Sequence, residues 1–118
     1  NEGLCALTAC VYLSGVGGNG LFDLGVMNLE RGRQLCDAVC SVDGFEKVFS
    51  GCFFNEFVVK YNGNVNKLNR RLLDNGMQGG LVLEEYFPDL KGCLLFGITE
   101  IYDEEDIDSF VSVLKEVA

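Results

Sequence analysis

The sequence has no histidine and a single proline, Pro88. Without histidine, the commonest general acid–base residue is missing, together with the usual activator of a serine or cysteine nucleophile. No Cys-x-x-Cys pair occurs either, so zinc-ribbon and zinc-finger patterns fail. Basic residues are scarce: 9 Lys and Arg stand against 18 Asp and Glu, a net charge of −9. That balance disfavours nucleic acid and anionic membrane surfaces, both of which reward positive charge. No unbroken apolar run approaches the ~20 residues of a bilayer span. The apolar patch Leu4–Val16 has no basic residue ahead of it, so neither a membrane segment nor a signal peptide is expected.

What is present suits a single folded domain. The 118 residues are 48% hydrophobic and 11% aromatic, which excludes disorder and suffices for one core. The six cysteines are Cys5, Cys10, Cys36, Cys40, Cys52 and Cys93. Cys36 and Cys40 fall in helical register among apolar residues, where cysteine acts as a small hydrophobe. Reduced thiols in a cytoplasmic protein are therefore expected. The first residue is not Met and helical rhythm starts at once, so the chain reads as a piece of something longer.

Taken in order, Asn1 to about Val16 reads as a helix, with Leu4, Leu7, Val11 and Tyr12 at three- and four-residue spacing. Gly15 to Gly20 satisfies G-x-G-x-x-G, but the dinucleotide fingerprint needs a strand before it. An interhelical turn is the better reading. Leu21–Val42 is the longest helix, with Leu21, Leu24, Asn28, Leu29, Leu35, Cys36, Val39 and Cys40 on its buried side. Arg31 and Arg33 could hold an anion, although a solvated face suits them better. Asp43-Gly44 stops the helix.

Phe45–Ser50 and Phe53–Lys60 read as an antiparallel pair turned at Gly51-Cys52. Phe53–Lys60 is apolar on both alternating faces and so belongs inside a covered sheet. Val65–Asn75 follows as a helix burying Val65, Leu68, Leu72 and Leu73. Leu81–Leu83 is a brief strand, Glu84–Leu90 a loop, and Cys93–Thr99 a second strongly apolar strand beside the central one. Asp103 caps a last helix whose stripe is Ile107, Phe110, Val111, Leu114 and Val117. The order predicts an α+β fold, a two-layer α/β sandwich with helices packed on a small sheet. The leading helices occupy 1–42 and the sheet with its helices 45–118, in one domain.

No segment offers a complete catalytic set. Polar pairs interrupt both apolar strands, making Asn55, Glu56, Thr99 and Glu100 the candidate cleft or interface residues. An unpaired polar group there costs roughly 1–3 kcal/mol, so each needs a partner or a purpose. Purely structural hydrogen bonding is the alternative. Glu84, Glu85, Glu100 and Asp103–Asp106 lack the alternating spacing of a calcium loop, and a solvated acidic surface suits them better. No metal ligands are expected.

Several runs together resemble a known family. They are Leu4-Cys5-Ala6-Leu7 with Tyr12-Leu13-Ser14, Gly20-Leu21, Phe53 to Lys60, Gly79-Gly80-Leu81, Tyr86 with Pro88, and Thr99-Glu100 before Asp106-Ile107-Asp108. Their order resembles the C-terminal part of the glycine cleavage system P-protein, in subunit 1 of the two-subunit glycine dehydrogenase (decarboxylating). The resemblance implies the small C-terminal domain of an aspartate aminotransferase-like, pyridoxal-phosphate-dependent fold, about a quarter of the parent subunit. The parent would decarboxylate glycine and pass the aminomethyl group to the lipoyl H-protein. Its partners would be the rest of subunit 1, subunit 2 and the H-protein. It implies pyridoxal phosphate on the other subunit, none of the five lysines here as the imine-forming residue, and an isolated piece that is inactive. Two other readings stay open: a stand-alone small-molecule-binding regulatory module, and a docking module.

Overall fold

A computed structural model describes residues 2–118; the expected helical placement of Asn1 lies outside the described residues. The first helix, α1 (Glu2–Cys40), is followed by β1 (Phe45–Lys47), β2 (Glu56–Tyr61), α2 (Val65–Asp74), β3 (Leu81–Val82), β4 (Cys93–Gly97) and α3 (Glu104–Val117). A short 3-10 turn at Pro88–Leu90 precedes β4. The strands form one antiparallel sheet ordered β1-β2-β4-β3, with β2 and β4 central. Both apolar strands foreseen from sequence are thus neighbours, with Phe57 opposite Phe96 and Val59 opposite Leu94.

The core lies on one face of this sheet. Phe57, Val59, Leu94, Phe96 and Val82 meet Leu35, Cys36 and Val39 of α1, Leu68 and Leu72 of α2, and Ile107, Val111 and Leu114 of α3. Phe96 links strand to helix, its ring 6.1 Å from Phe57 and 5.8 Å from Phe110. Asp103 caps α3 reciprocally with Asp106, each side chain accepting the other's backbone N–H at 3.0 and 2.9 Å. The other end of α3 is tied down by Arg71, whose guanidinium donates to the Val117 carbonyl at 2.9 Å.

Several expectations need correction. The expected turn between two helices is a one-residue kink: the helices, together α1, meet at Gly17, whose φ of 69° and ψ of 177° are non-helical. Glycine tolerates that conformation, so a kink suffices where a turn was expected. By length and composition alone α1 is also long and apolar enough to cross a membrane, which no unbroken apolar run suggested. Leu4, Leu7, Val11, Tyr12 and Leu21 are exposed, and burial starts only at Gly32. Leu73 is likewise exposed, one position off the α2 stripe.

The helix ends at Cys40 and the strand pair is shorter than expected. β1 and β2 are joined by residues 48–55 rather than by a tight turn, although Val48 N–H still reaches the Val58 carbonyl at 3.2 Å. The sheet is covered by helices on one face only, leaving Val58 and Leu95 half-buried and Leu81 exposed on the other. A strand apolar on both sides did not mean a sheet covered on both sides.

Candidate cleft at the open end of the sheet

Antiparallel register carries the start of β2 to the end of β4, pairing Glu56 with Gly97. The four candidate residues therefore converge on one end of the sheet. Asn55 is half-buried, and its amide donates to the Ile98 carbonyl at 2.9 Å while Ile98 N–H returns to the Asn55 carbonyl at 3.1 Å. Asn55 is thus the inward member of the pair and is structurally satisfied. Glu56 is exposed, and among the described residues it has no hydrogen-bond or ion-pair partner.

The end of β4 meets α1. The Asn28 amide donates to Glu100 Oε2 and to the Leu24 carbonyl, both at 2.8 Å. One turn on, Arg31 donates to Gln34 Oε1 at 2.6 Å and lies 3.6 Å from Glu104 Oε1. Arg31 is therefore not the free solvated cation expected, and it is not free to bind an anion. Thr99 contributes its carbonyl to a turn, accepting from Tyr102 N–H at 3.2 Å.

Sequence reasoning missed Gly32. A Cβ there would lie 2.6 Å from the Phe54 carbonyl oxygen and 2.9 Å from the Asn55 Cα. Only glycine allows α1 to pass so close to the loop that carries Asn55. A glycine inside a helical run was the available signal, since it costs about 1 kcal/mol against alanine unless packing requires it.

Two cavities open beside this end. A small one of about 170 Å³ is lined by Lys47, Cys52, Phe53, Glu56 and Val58, with Lys47 Nζ 4.8 Å from the Phe53 ring centre. The larger, about 750 Å³, wraps round the edge of β4 between the Gly76–Gly79 segment and α3. Its charged lining residues are Glu56 and Asp106, with no Lys or Arg. No described group of three His, Cys, Asp or Glu residues is placed to hold a metal.

Burial disfavours the thiolate form of Cys36, Cys40 and Cys93. Desolvation, followed by the neighbouring Cys40, pushes Cys36 up to about 11, and burial raises Cys40 and Cys93 as well.

No family model matches the chain. Among curated proteins it is 38% identical over 116 residues to the probable glycine dehydrogenase (decarboxylating) subunit 1 of Anoxybacillus flavithermus, covering 98% of this chain and 26% of that protein. The protein of the same name from Desulfitobacterium hafniense is also 38% identical, over 99% of this chain and 26% of its own length. A crystal structure of glycine decarboxylase (P-protein) of the glycine cleavage system, in inhibitor-bound form, superposes with a TM-score of 0.86 at 30% identity. The match covers 96% of this chain and 25% of that one.

The chain is a relative of the C-terminal quarter of glycine dehydrogenase (decarboxylating) subunit 1. It thus spans about a quarter of the length of the curated relatives it matches. The resemblance seen in the Phe53–Lys60 and Gly79–Leu81 runs holds across nearly the whole sequence, and the α+β fold is that of the P-protein structure over the same span.

Proposed function

We propose that this chain is the C-terminal small domain of a glycine decarboxylase subunit and acts only with the rest of that enzyme, which decarboxylates glycine and hands the aminomethyl group to the lipoyl H-protein in the cytoplasm. The observation that carries the reading is the relationship to subunit 1 along the chain, and the polar residues at the sheet end engage one another. Asn55 is consumed by Ile98, Glu100 by Asn28, and Arg31 by Gln34 and Glu104.

The residues present do not fit pyridoxal phosphate. Its phosphate needs cations or an open helix N-terminus, and its imine needs a buried lysine. The larger cavity offers no cation. The start of α3 is closed by Asp103 and surrounded by Glu104, Glu105 and Asp106, which repel a phosphate. Of the lysines, Lys47 sits over Phe53 and Lys60 lies 3.9 Å from exposed Glu46. In this reading the cofactor is held by another part of the enzyme, on subunit 2.

The exposed surface supports an assembled role. Leu4, Leu7, Val11 and Phe22 are between 61% and 72% exposed, and each would gain about 1.5–3 kcal/mol on full burial. Gly3, Gly15, Gly18 and Gly20 each weaken the helix by about 1 kcal/mol, so this half of α1 depends on a surface to pack against. The remaining subunit supplies it. Asn55, Thr99 and Glu100 then act as positioning residues that hold the β4 end against α1, and Glu56 faces the cleft.

The test is reconstitution of full-length subunit 1 with subunit 2, lipoyl H-protein and pyridoxal phosphate, followed by borohydride reduction and peptide mapping. Glycine-dependent carbon dioxide release is expected, with the trapped cofactor on no lysine among Lys47, Lys60, Lys67, Lys91 and Lys115. No carbon dioxide release, or an adduct on any of these five, overturns the reading.

A further inference from the structure

The larger cavity is an interrupted sheet edge. Because Phe57 and Ile98 direct their backbone groups across the β2–β4 ladder, alternate residues Cys93, Leu95 and Gly97 direct theirs the opposite way, toward β3. Leu83 N–H takes the Cys93 carbonyl at 3.0 Å, and Leu81 pairs with Leu95. The next partner in that register is Gly79, opposite Gly97. No backbone bond joins them among the described residues. Asn69 explains the divergence: its amide donates to the Gly80 carbonyl at 2.7 Å, drawing the chain before β3 toward α2.

Gly97 is consequently exposed, with its N–H and C=O aimed into the groove. The groove walls supply half-buried Met77 and Phe110 for apolar contact and the unpartnered Glu56 for charge. The walls lack any cation to neutralise a carboxylate or phosphate, so a free amino acid or a phosphorylated cofactor is a poor match. An extended peptide bearing a cation matches all three features.

We propose that an extended segment of the remaining three quarters of the subunit, carrying a Lys or Arg, fills this groove, pairs with Gly97 where β3 stops, and sets its cation against Glu56. Two observations select that occupant. The relatives are about four times as long as this chain, so most of the subunit lies outside it, and the groove's charge is of one sign. The inference rests on the reading given under the proposed function.

Hydrogen exchange of the Gly97 amide in full-length subunit 1 tests it, without and with subunit 2. Exchange at least about tenfold slower than the open-chain rate is expected in subunit 1 alone. Glu56→Lys should return it toward the open-chain rate while leaving the Leu94 amide slow, which shows that the fold persists. Fast exchange in wild-type subunit 1 overturns the proposal. Protection that appears only on adding subunit 2 also overturns it, because the occupant is then another chain, and so does protection indifferent to Glu56→Lys. An enzyme that releases carbon dioxide from glycine but has a fast Gly97 amide loses the groove proposal alone; failure of the wild-type reconstitution removes the functional reading itself.

Discussion

The two ends of α1, which is kinked at Gly17, are two different objects by packing. Residues 32–40 are wedged into the core, with Gly32 against the Phe54 carbonyl and Leu35, Cys36 and Val39 buried. Residues 2–22 are glycine-rich, kinked at Gly17, and carry exposed Leu4, Leu7, Val11 and Phe22. Both halves have apolar residues at helical spacing. The difference teaches that an apolar stripe specifies that a surface will be covered, without specifying by what. In the second half this domain covers it; in the first, the rest of the subunit does in our reading.

Paired substitutions sharpen this contrast. Leu35→Ala should destabilise the 118-residue chain by about 2–5 kcal/mol in urea unfolding, through lost burial and a cavity. Leu7→Ala should change it by less than about 0.5 kcal/mol, because that side chain is 61% exposed. Equal effects would dissolve the distinction between the halves.

A smaller effect separates the glycines. Gly32→Ala should cost about 1–3 kcal/mol, since the new methyl group meets backbone rather than a movable side chain. Gly18→Ala has nothing within 4 Å of the new Cβ and should stabilise by up to about 1 kcal/mol. Thermal melts of the two variants moving in the same direction would contradict the assignment. Asn55→Ala should cost about as much as Gly32→Ala, about 1–3 kcal/mol, by leaving the Ile98 carbonyl without its 2.9 Å donor.

The smallest effect is read with a thiol reagent. In the 118-residue chain Cys5 and Cys10 should react quickly at pH 8 and Cys36 only on unfolding, since the first two are exposed and the third is buried. Cys36 also ties stability to pH. Its folded pKa of about 11 lies above the ordinary 9.0, so the unfolded state loses this proton first as pH rises. The contribution is fully present below pH 9 and disappears between pH 9 and 11. A Cys36→Ala variant with unchanged alkaline unfolding would remove that link.

Much of the fold was legible because its signals are local. The Asp103–Asp106 cap, the stripe Ile107, Val111 and Leu114, and the alternation in Phe57–Val59 and Leu94–Phe96 each follow from residue type and spacing. The glycine run was legible as the boundary between two helices, while the confinement of the break to the single residue Gly17 was not. The β1–β2 connection was misread because Gly51-Cys52 is turn chemistry without being the turn that sets the register. The convergence of Asn55 with Ile98 and of Glu100 with Asn28 was legible only as four polar interruptions, since their contacts span 43 and 72 residues. Gly32 belongs to the same class, its reason being a carbonyl more than twenty residues away.

The most direct test is oxidative footprinting of full-length subunit 1 at Leu7, Val11 and Phe22, with buried Val111 and Leu114 as references in the same molecule. We expect the three to be labelled about as slowly as the references. Labelling as fast as in a free peptide of the same sequence would contradict the account, because the apolar half of α1 would then stand uncovered in the whole protein.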